Sequence, residues 1–154
     1  APMIDGDWAR GREGGCQCGA IRYRVDGPAL RLVVCHCNEC HKQSASAFGV
    51  SVFVARESLR LTRGTPRWWA RPTDSGHVLE GAFCPDCGTR LWHQRRGDAA
   101  TISVKGGSLD GAIDLAAAVH IWTSRKWPGV VIPDGATKYT HAPPPALPPV
   151  SATD

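Results

Sequence analysis

At 154 residues the chain is long enough for one domain with a full core and short for two, so a single compact unit with one function is expected. Its 42% apolar and 21% charged content is that of an ordinary soluble globular protein, and nothing in it resembles the apolar run of about 18 residues that a membrane span needs. The formal charge of +4, from 18 Lys and Arg against 14 Asp and Glu, hints weakly at nucleic acid or an anionic substrate; ionising the seven cysteines onto two divalent ions would reduce it to about +1.

The first stretch, APMIDGDWARGREGG, has no basic segment followed by an apolar one, so residues 1–13 read as an N-terminal extension rather than a secretory signal, and cytoplasm is the expected compartment. After it, Ile21, Tyr23 and Val25 alternate with Arg22 and Arg24, the period of a strand. LRLVV, ending at Val34, is a second strand, and NECHKQSA after Cys37 gives a turn or two of helix. Phe48, Val50, Val52 and Val54 share one face of the next strand. Further strands are expected at SLRLT around Leu59 and Leu61, RWWA around Trp68, HVLEGAF ending at Phe83, ATISV around Ile102 and Val104, and AAAVHIW ending at Trp122. Gly and Pro punctuate them, as in DGP and GTP, and a turn of helix is expected at GSLDGAI. The reading is a mainly β domain over 14–140, a folded barrel-like or sandwich-like sheet with little helix. The Pro-rich segment HAPPPALPPVSATD, 141–154, reads as a disordered tail. Tryptophans 8, 68, 69, 92, 122 and 127 read as core or rim residues of a β domain rather than base-stacking platforms.

The chemistry lies in the cysteines. An odd count of seven cannot be consumed by internal disulfides, and in a reducing compartment it speaks for metal or catalysis. They form three clusters: Cys16 and Cys18 in GGCQCGA; Cys35, Cys37 and Cys40 in VVCHCNECHKQS; Cys84 and Cys87 in FCPDCGTRL. Two pairs on tight turns are the usual makings of a closed four-thiolate zinc site, so the outer clusters are assigned to a structural zinc. The rival for CPDC, a redox dithiol, wants a βαβ context that the pattern lacks. Three ligands then remain, and three protein ligands with an open fourth position are what a catalytic zinc site presents. The competing readings are that His36 or His41 closes the tetrahedron, or that one thiol is simply buried. His36 alternates with the cysteines on an extended segment and should point away, and His41 is adjacent to Cys40; His77, His93, His120 and His141 are left unassigned. Three thiolates leave a zinc cluster at minus one, a poor generator of hydroxide but a good host for a further sulfur, so the expected substrate is a thiol and the expected reaction makes or breaks a carbon–sulfur bond.

GGCQCGAIRY, CHCNECHKQSASAF, FCPDCGTRLW and HIWTSRKWPGVVIPDG together resemble the glutathione-dependent formaldehyde-activating enzyme family, which includes the centromere protein V-like proteins, from about Gly14 to Gly135. The resemblance implies an Mss4-like fold and two zinc ions per chain: a structural one on Cys16, Cys18, Cys84 and Cys87, and a catalytic one on Cys35, Cys37 and Cys40. It also implies a carbon–sulfur lyase acting on a thiol–aldehyde adduct such as S-(hydroxymethyl)glutathione. One departure stands out: where the family often has a Ser-Gly or Thr-Gly pair, this chain has Ser44 and Ala45, and the alanine is expected to reshape the pocket mouth. Ser44, Ser46 and Phe48, next to the metal loop, are the candidate substrate-binding residues. Lys42, Arg67 and Arg71 are candidate contacts for substrate carboxylates, set against the plainer reading of solvated surface charges. The alternative function is a non-catalytic, zinc-stabilised binding module for nucleic acid or a protein partner; no Lys/Arg run interleaves with aromatics, which disfavours nucleic acid. A homo-oligomer is left open.

Overall fold

A computed structural model describes Trp8 and residues 10–144, so most of the expected Pro-rich tail and the first residues of the N-terminal extension lie outside the described part. Among the described residues ten strands form two sheets: β1 (Arg12–Gly15), β2 (Arg22–Val25), β3 (Arg31–Cys35), β4 (Gly49–Ala55), β5 (Leu59–Arg63), β6 (Arg67–Pro72), β7 (Val78–Phe83), β8 (Arg90–Arg95), β9 (Thr101–Lys105) and β10 (Val119–Ile121). The smaller sheet has the order β1-β2-β5, the larger β10-β3-β4-β9-β8-β7-β6. All pairings between these strands are antiparallel except β10 on β3. Among the described residues one seven-residue helix with an element of its own is defined, α1 (Asn38–Ser44), together with short 3₁₀ turns. The fold is mainly β, and none of the helices in this part is long and apolar enough to cross a membrane.

Period-two alternation gives the large sheet two different faces. Leu32 and Val34 of β3, Val52 and Val54 of β4, Ile102 and Val104 of β9 and Trp92 of β8 turn one way and pack, with Ile21, Tyr23 and Val25 of the small sheet's side, into one buried cluster. Tyr23 is anchored there by its hydroxyl, 2.6 Å from Ser108 Oγ, and by an edge-on contact with Trp92. The intervening residues turn to the other face, and their cross-strand register is a straight row: Arg31 opposite Phe53, Phe53 opposite Ser103, Ser103 opposite His93, His93 opposite Gly81, Gly81 opposite Trp69. Val33, Ser51 and Lys105 form the next row, and Cys35 stands beyond it.

Two strands were not foreseen from the sequence. β1 is REGG, whose Gly14 and Gly15 argue against a strand; any Cβ at Gly14 would collide with Tyr23 Oη, so the small sheet closes on its core only with glycine here. β8 carries no clean alternation because Leu91, Trp92 and His93 are all buried. The register shifts between Ala82 and Phe83, and Phe83 pairs with Arg90 instead of Leu91. That bulge lets Leu91 join Trp92 in the core and turns Arg90 to the opposite face.

Candidate metal centres and cleft

The outer cysteine pairs sit on the tips of two hairpins that belong to different sheets. Cys16 and Cys18 occupy the β1–β2 turn, closed by Gly19 N–H donating to Cys16 O at 3.2 Å; Cys84 and Cys87 occupy the β7–β8 turn, closed by Gly88 N–H donating to Cys84 O at 2.9 Å. Gly88, at φ +80°, supplies the left-handed residue this turn requires. The four sulfurs lie within 4.8 Å of one another, with Cys16 Sγ 3.6 Å from Cys18 Sγ and Cys18 Sγ 3.7 Å from Cys84 Sγ. A tetrahedron with zinc–sulfur bonds of about 2.3 Å has edges of about 3.8 Å, so the set fits zinc. Backbone N–H groups support the sulfurs, Ile21 N–H donating to Cys16 Sγ at 3.2 Å and Asp86 N–H to Cys84 Sγ at 3.4 Å. The Thr89 hydroxyl, 3.3 Å from Cys87 Sγ, and the Thr89 N–H hold that thiol down at about 5, while, against a backbone contact from Ala20 that lowers it, sharing with Cys16 and the other sulfurs pushes Cys18 up to about 12. Crowded thiols divide protons in this way when no cation balances them, which is the behaviour of a ligand set.

Cys35 ends β3, Cys37 is the N-cap of α1 and Cys40 lies in its first turn, so strand, cap and helix each aim one sulfur at a common point. Their sulfurs too lie within 4.8 Å of one another, and among the described residues no fourth His, Cys, Asp or Glu ligand atom joins them. Cys40 N–H donates to Cys37 Sγ at 3.3 Å, the capping bond that opens the helix. Gly49 of β4 makes room, since a Cβ there would press on Cys40 Cβ at 3.2 Å and its sulfur at 3.4 Å. Contacts from the Cys35 and Cys40 thiols pull Cys37 down to about 2, while the same sharing pushes Cys35 up, and Cys40, despite its contact with Cys35, up to about 11. Without a cation one negative charge concentrates on Cys37; three thiolates together need a metal, and this set fits one.

Neither flanking histidine reaches the trio as a ligand. His36 is buried on the far side, Nε2 2.9 Å from His120 Nδ1 and edge-on to Phe48; the His41 ring lies tilted against Trp127, with 4.8 Å between centroids. Cys35 and Cys40 open onto a cleft of about 590 Å³ whose floor is the second face of the large sheet. Lys105, buried in that floor, donates to Ser51 Oγ at 2.8 Å; burial pulls its ammonium down and the three nearby sulfurs push it back up. Arg31, Arg71, Arg90 and Arg95 join it against Glu39 and Asp98, so the cleft is cationic.

The residues expected to bind substrate are distributed differently. Lys42 and Arg71 line the cleft, Arg71 with its Nε 3.7 Å from Glu39, whereas Arg67 does not. Ser44, Ser46 and Phe48 are not among its lining residues: the Ser44 hydroxyl is 2.7 Å from Cys40 O and 3.1 Å from Phe48 O, Ser46 is exposed, and Phe48 packs on His36. Ala45 is not at the cleft either. It is the C-cap of α1, in the left-handed region at φ 51° and ψ 41°, where glycine is the usual residue. Ala45→Gly is therefore expected to stabilise the zinc-loaded protein by up to about 1 kcal/mol, after the entropy gained by the unfolded chain is deducted; urea unfolding checks it, and a loss of stability would contradict the strain.

His93, unassigned from sequence, stands at the centre of the floor, 7% exposed. Burial, then the charges of Lys105, Arg90 and Arg71, hold it down at about 2, far below the 6.5 of a free imidazole. Below pH 6.5 the unfolded chain takes a proton that folded His93 refuses, so its contribution weakens stability as the pH falls, by about 1.4 kcal/mol per unit until the folded value is reached. Comparing urea unfolding at pH 7 and pH 5 should show a smaller acid loss in His93→Gln than in the parent; equal losses would show that His93 titrates normally.

The family model for the glutathione-dependent formaldehyde-activating enzyme matches residues 11–125. Among solved structures, a crystal structure of a Rhodobacter sphaeroides protein is similar, at 24% identity and a TM-score of 0.52, over 65% of this chain and 89% of that one. It shares the fold.

Proposed function

The chain belongs to the glutathione-dependent formaldehyde-activating enzyme family, and from that premise we propose that it joins a thiol to an aldehyde, or parts them, at Cys35, Cys37 and Cys40. Zinc ions are assigned to both sulfur clusters, with Cys16, Cys18, Cys84 and Cys87 holding a structural one. The observation that carries the reading is the contrast between them. Four sulfurs close one set at the hairpin tips, while the other set has three, without a fourth protein ligand among the described residues, and two of these, Cys35 and Cys40, line a cationic cleft.

A zinc ion on the trio would supply a soft cation that keeps a substrate sulfur deprotonated at neutral pH. The chain's own groups do the rest. In the condensing direction the thiol sulfur loses its proton and forms the bond to the aldehyde carbon, and the carbonyl oxygen becomes the hydroxyl of the adduct; the reverse breaks that bond and returns the proton to sulfur. Lys105, beside the trio and hydrogen-bonded to Ser51, offers N–H donors to the oxygen that gains charge and offsets the negative sulfurs. The sheet floor beneath excludes water from one side of the reacting pair. Carbon–sulfur lyase chemistry on S-(hydroxymethyl)glutathione or a related conjugate is the activity to assay.

Zinc-loaded protein should accelerate the approach to equilibrium of glutathione and formaldehyde, followed by exchange-resolved NMR of the adduct methylene. No acceleration with any thiol and aldehyde pair, together with salt-sensitive binding to DNA or RNA, would favour the binding-module alternative instead.

A further inference from the structure

Two side chains of the cleft are left unused by the chemistry at the trio, and they meet at Gly81. Arg90, which the β7–β8 bulge turns out of the core, lies over the Trp69 ring at 5.7 Å from its centroid, and its buried Nε has no hydrogen-bond partner. Among the described residues no carboxylate lies within ion-pair distance of Arg90. His93 Nε2 is likewise buried and unpartnered. Both converge on one place: the point where a Cβ at residue 81 would sit is 2.6 Å from Arg90 Nη2 and 3.1 Å from His93 Nε2. A half-buried guanidinium whose Nε is buried without a partner, and a buried ring nitrogen likewise unpartnered, are costly unless something supplies one.

We propose that Arg90 and His93, over the bare backbone of Gly81 and against Trp69, form a carboxylate-binding subsite that receives the acid group of the thiol substrate. The inference rests on the thiol–aldehyde reading for the identity of the ligand, but the subsite itself stands on these four residues. One guanidinium presents the fork that a carboxylate accepts from, and a neutral imidazole adds an N–H without adding charge, so the pair matches a single negative charge. The position sets the shape of the ligand. β8 is three strands from β3 in the order β3-β4-β9-β8, about 14 Å at about 4.8 Å per strand, and the long Arg90 side chain shortens that gap. An extended chain advances about 3.3 to 3.6 Å per residue, so a thiol with its carboxylate at short-peptide distance spans the two places, and a free amino thiol with the groups adjacent does not.

The test uses full-length, zinc-loaded protein and S-methylglutathione, whose capped sulfur separates carboxylate recognition from thiol chemistry. By calorimetry the parent should bind S-methylglutathione at least about 10-fold more tightly than its diethyl ester. Arg90→Gln and Gly81→Ala should each abolish that preference, the first by removing the fork and the second by pushing Arg90 Nη2 and the His93 ring from their places over residue 81. His93→Gln should weaken it without abolishing it. Equal affinity for acid and ester in the parent, or a preference unchanged in both Arg90→Gln and Gly81→Ala, would overturn the subsite. Should Gly81→Ala fail to fold, Arg90→Gln decides alone. Failure of the thiol–aldehyde reading appears separately, as a parent protein that binds S-methylglutathione with this preference yet shows no response of its metal to free thiols.

Discussion

Cys37→Ala is expected to reduce turnover of the thiol–aldehyde adduct by at least about 100-fold while the protein stays folded and keeps one zinc of two. The loss is large because Cys37 is one of just three sulfurs that come together there among the described residues. Two remaining sulfurs do not make a site that retains the ion through dialysis. The cost to the fold is small by comparison. Cys37 caps α1 through its sulfur, and losing an N-cap costs about 1 kcal/mol, a few degrees in melting temperature for a chain of this size. Elemental analysis, thermal unfolding and turnover on one preparation separate these effects, and a variant that keeps both zincs or its activity would remove the trio from the chemistry.

Cys84→Ala should do the opposite, taking the fold before the chemistry. Cys84 is fully buried where β7 ends, and its turn meets the β1–β2 turn of the other sheet through the sulfur cluster and through Gln17 N–H donating to Thr89 Oγ1 at 3.1 Å. A structural zinc in such a place contributes on the order of 10 kcal/mol to folding, comparable with the whole stability of a domain. The expected result is loss of the cooperative thermal transition, or a fall in its midpoint of more than about 20 °C, with both zincs released as the two sheets separate. A Cys84→Ala protein that melted within a few degrees of the parent would show that the hydrophobic contact between the sheets suffices without the cluster.

The two predictions divide along a line that was legible in the chain. Two cysteine pairs on Gly- and Pro-shaped turns and a trio around a strand end are local patterns, and local patterns are what spacing reports. His36 pointing away followed from the same alternation that places Cys35 and Cys37. The cleft was not legible, because it is made of alternate residues from strands distant in sequence and depends on register. Arg90 shows this most clearly: strict alternation from Trp92 would bury it in the core, and only the bulge at Phe83 turns it to the cleft. β8 was missed for the same reason, since three buried residues in succession erase the period-two signal. Ser44 and Phe48 look close to the site because they follow Cys40 in sequence, but the helix carries them to its last turn and beyond, where the serine hydroxyl meets backbone oxygens instead of the cleft. Ala45, read as a pocket residue from its place in the family pattern, is a question of backbone conformation.

If the proposed chemistry holds, the trio of Cys35, Cys37 and Cys40 accepts a substrate sulfur from the cleft. Replacing zinc by cobalt and titrating with glutathione tests it directly, because a new sulfur ligand adds intensity to the sulfur-to-cobalt charge-transfer band and alters the ligand-field bands. That change should saturate, persist in protein carrying a single cobalt on the trio, and vanish in Cys37→Ala. A spectrum unaltered at saturating thiol would contradict it, leaving both sulfur clusters as parts of the scaffold.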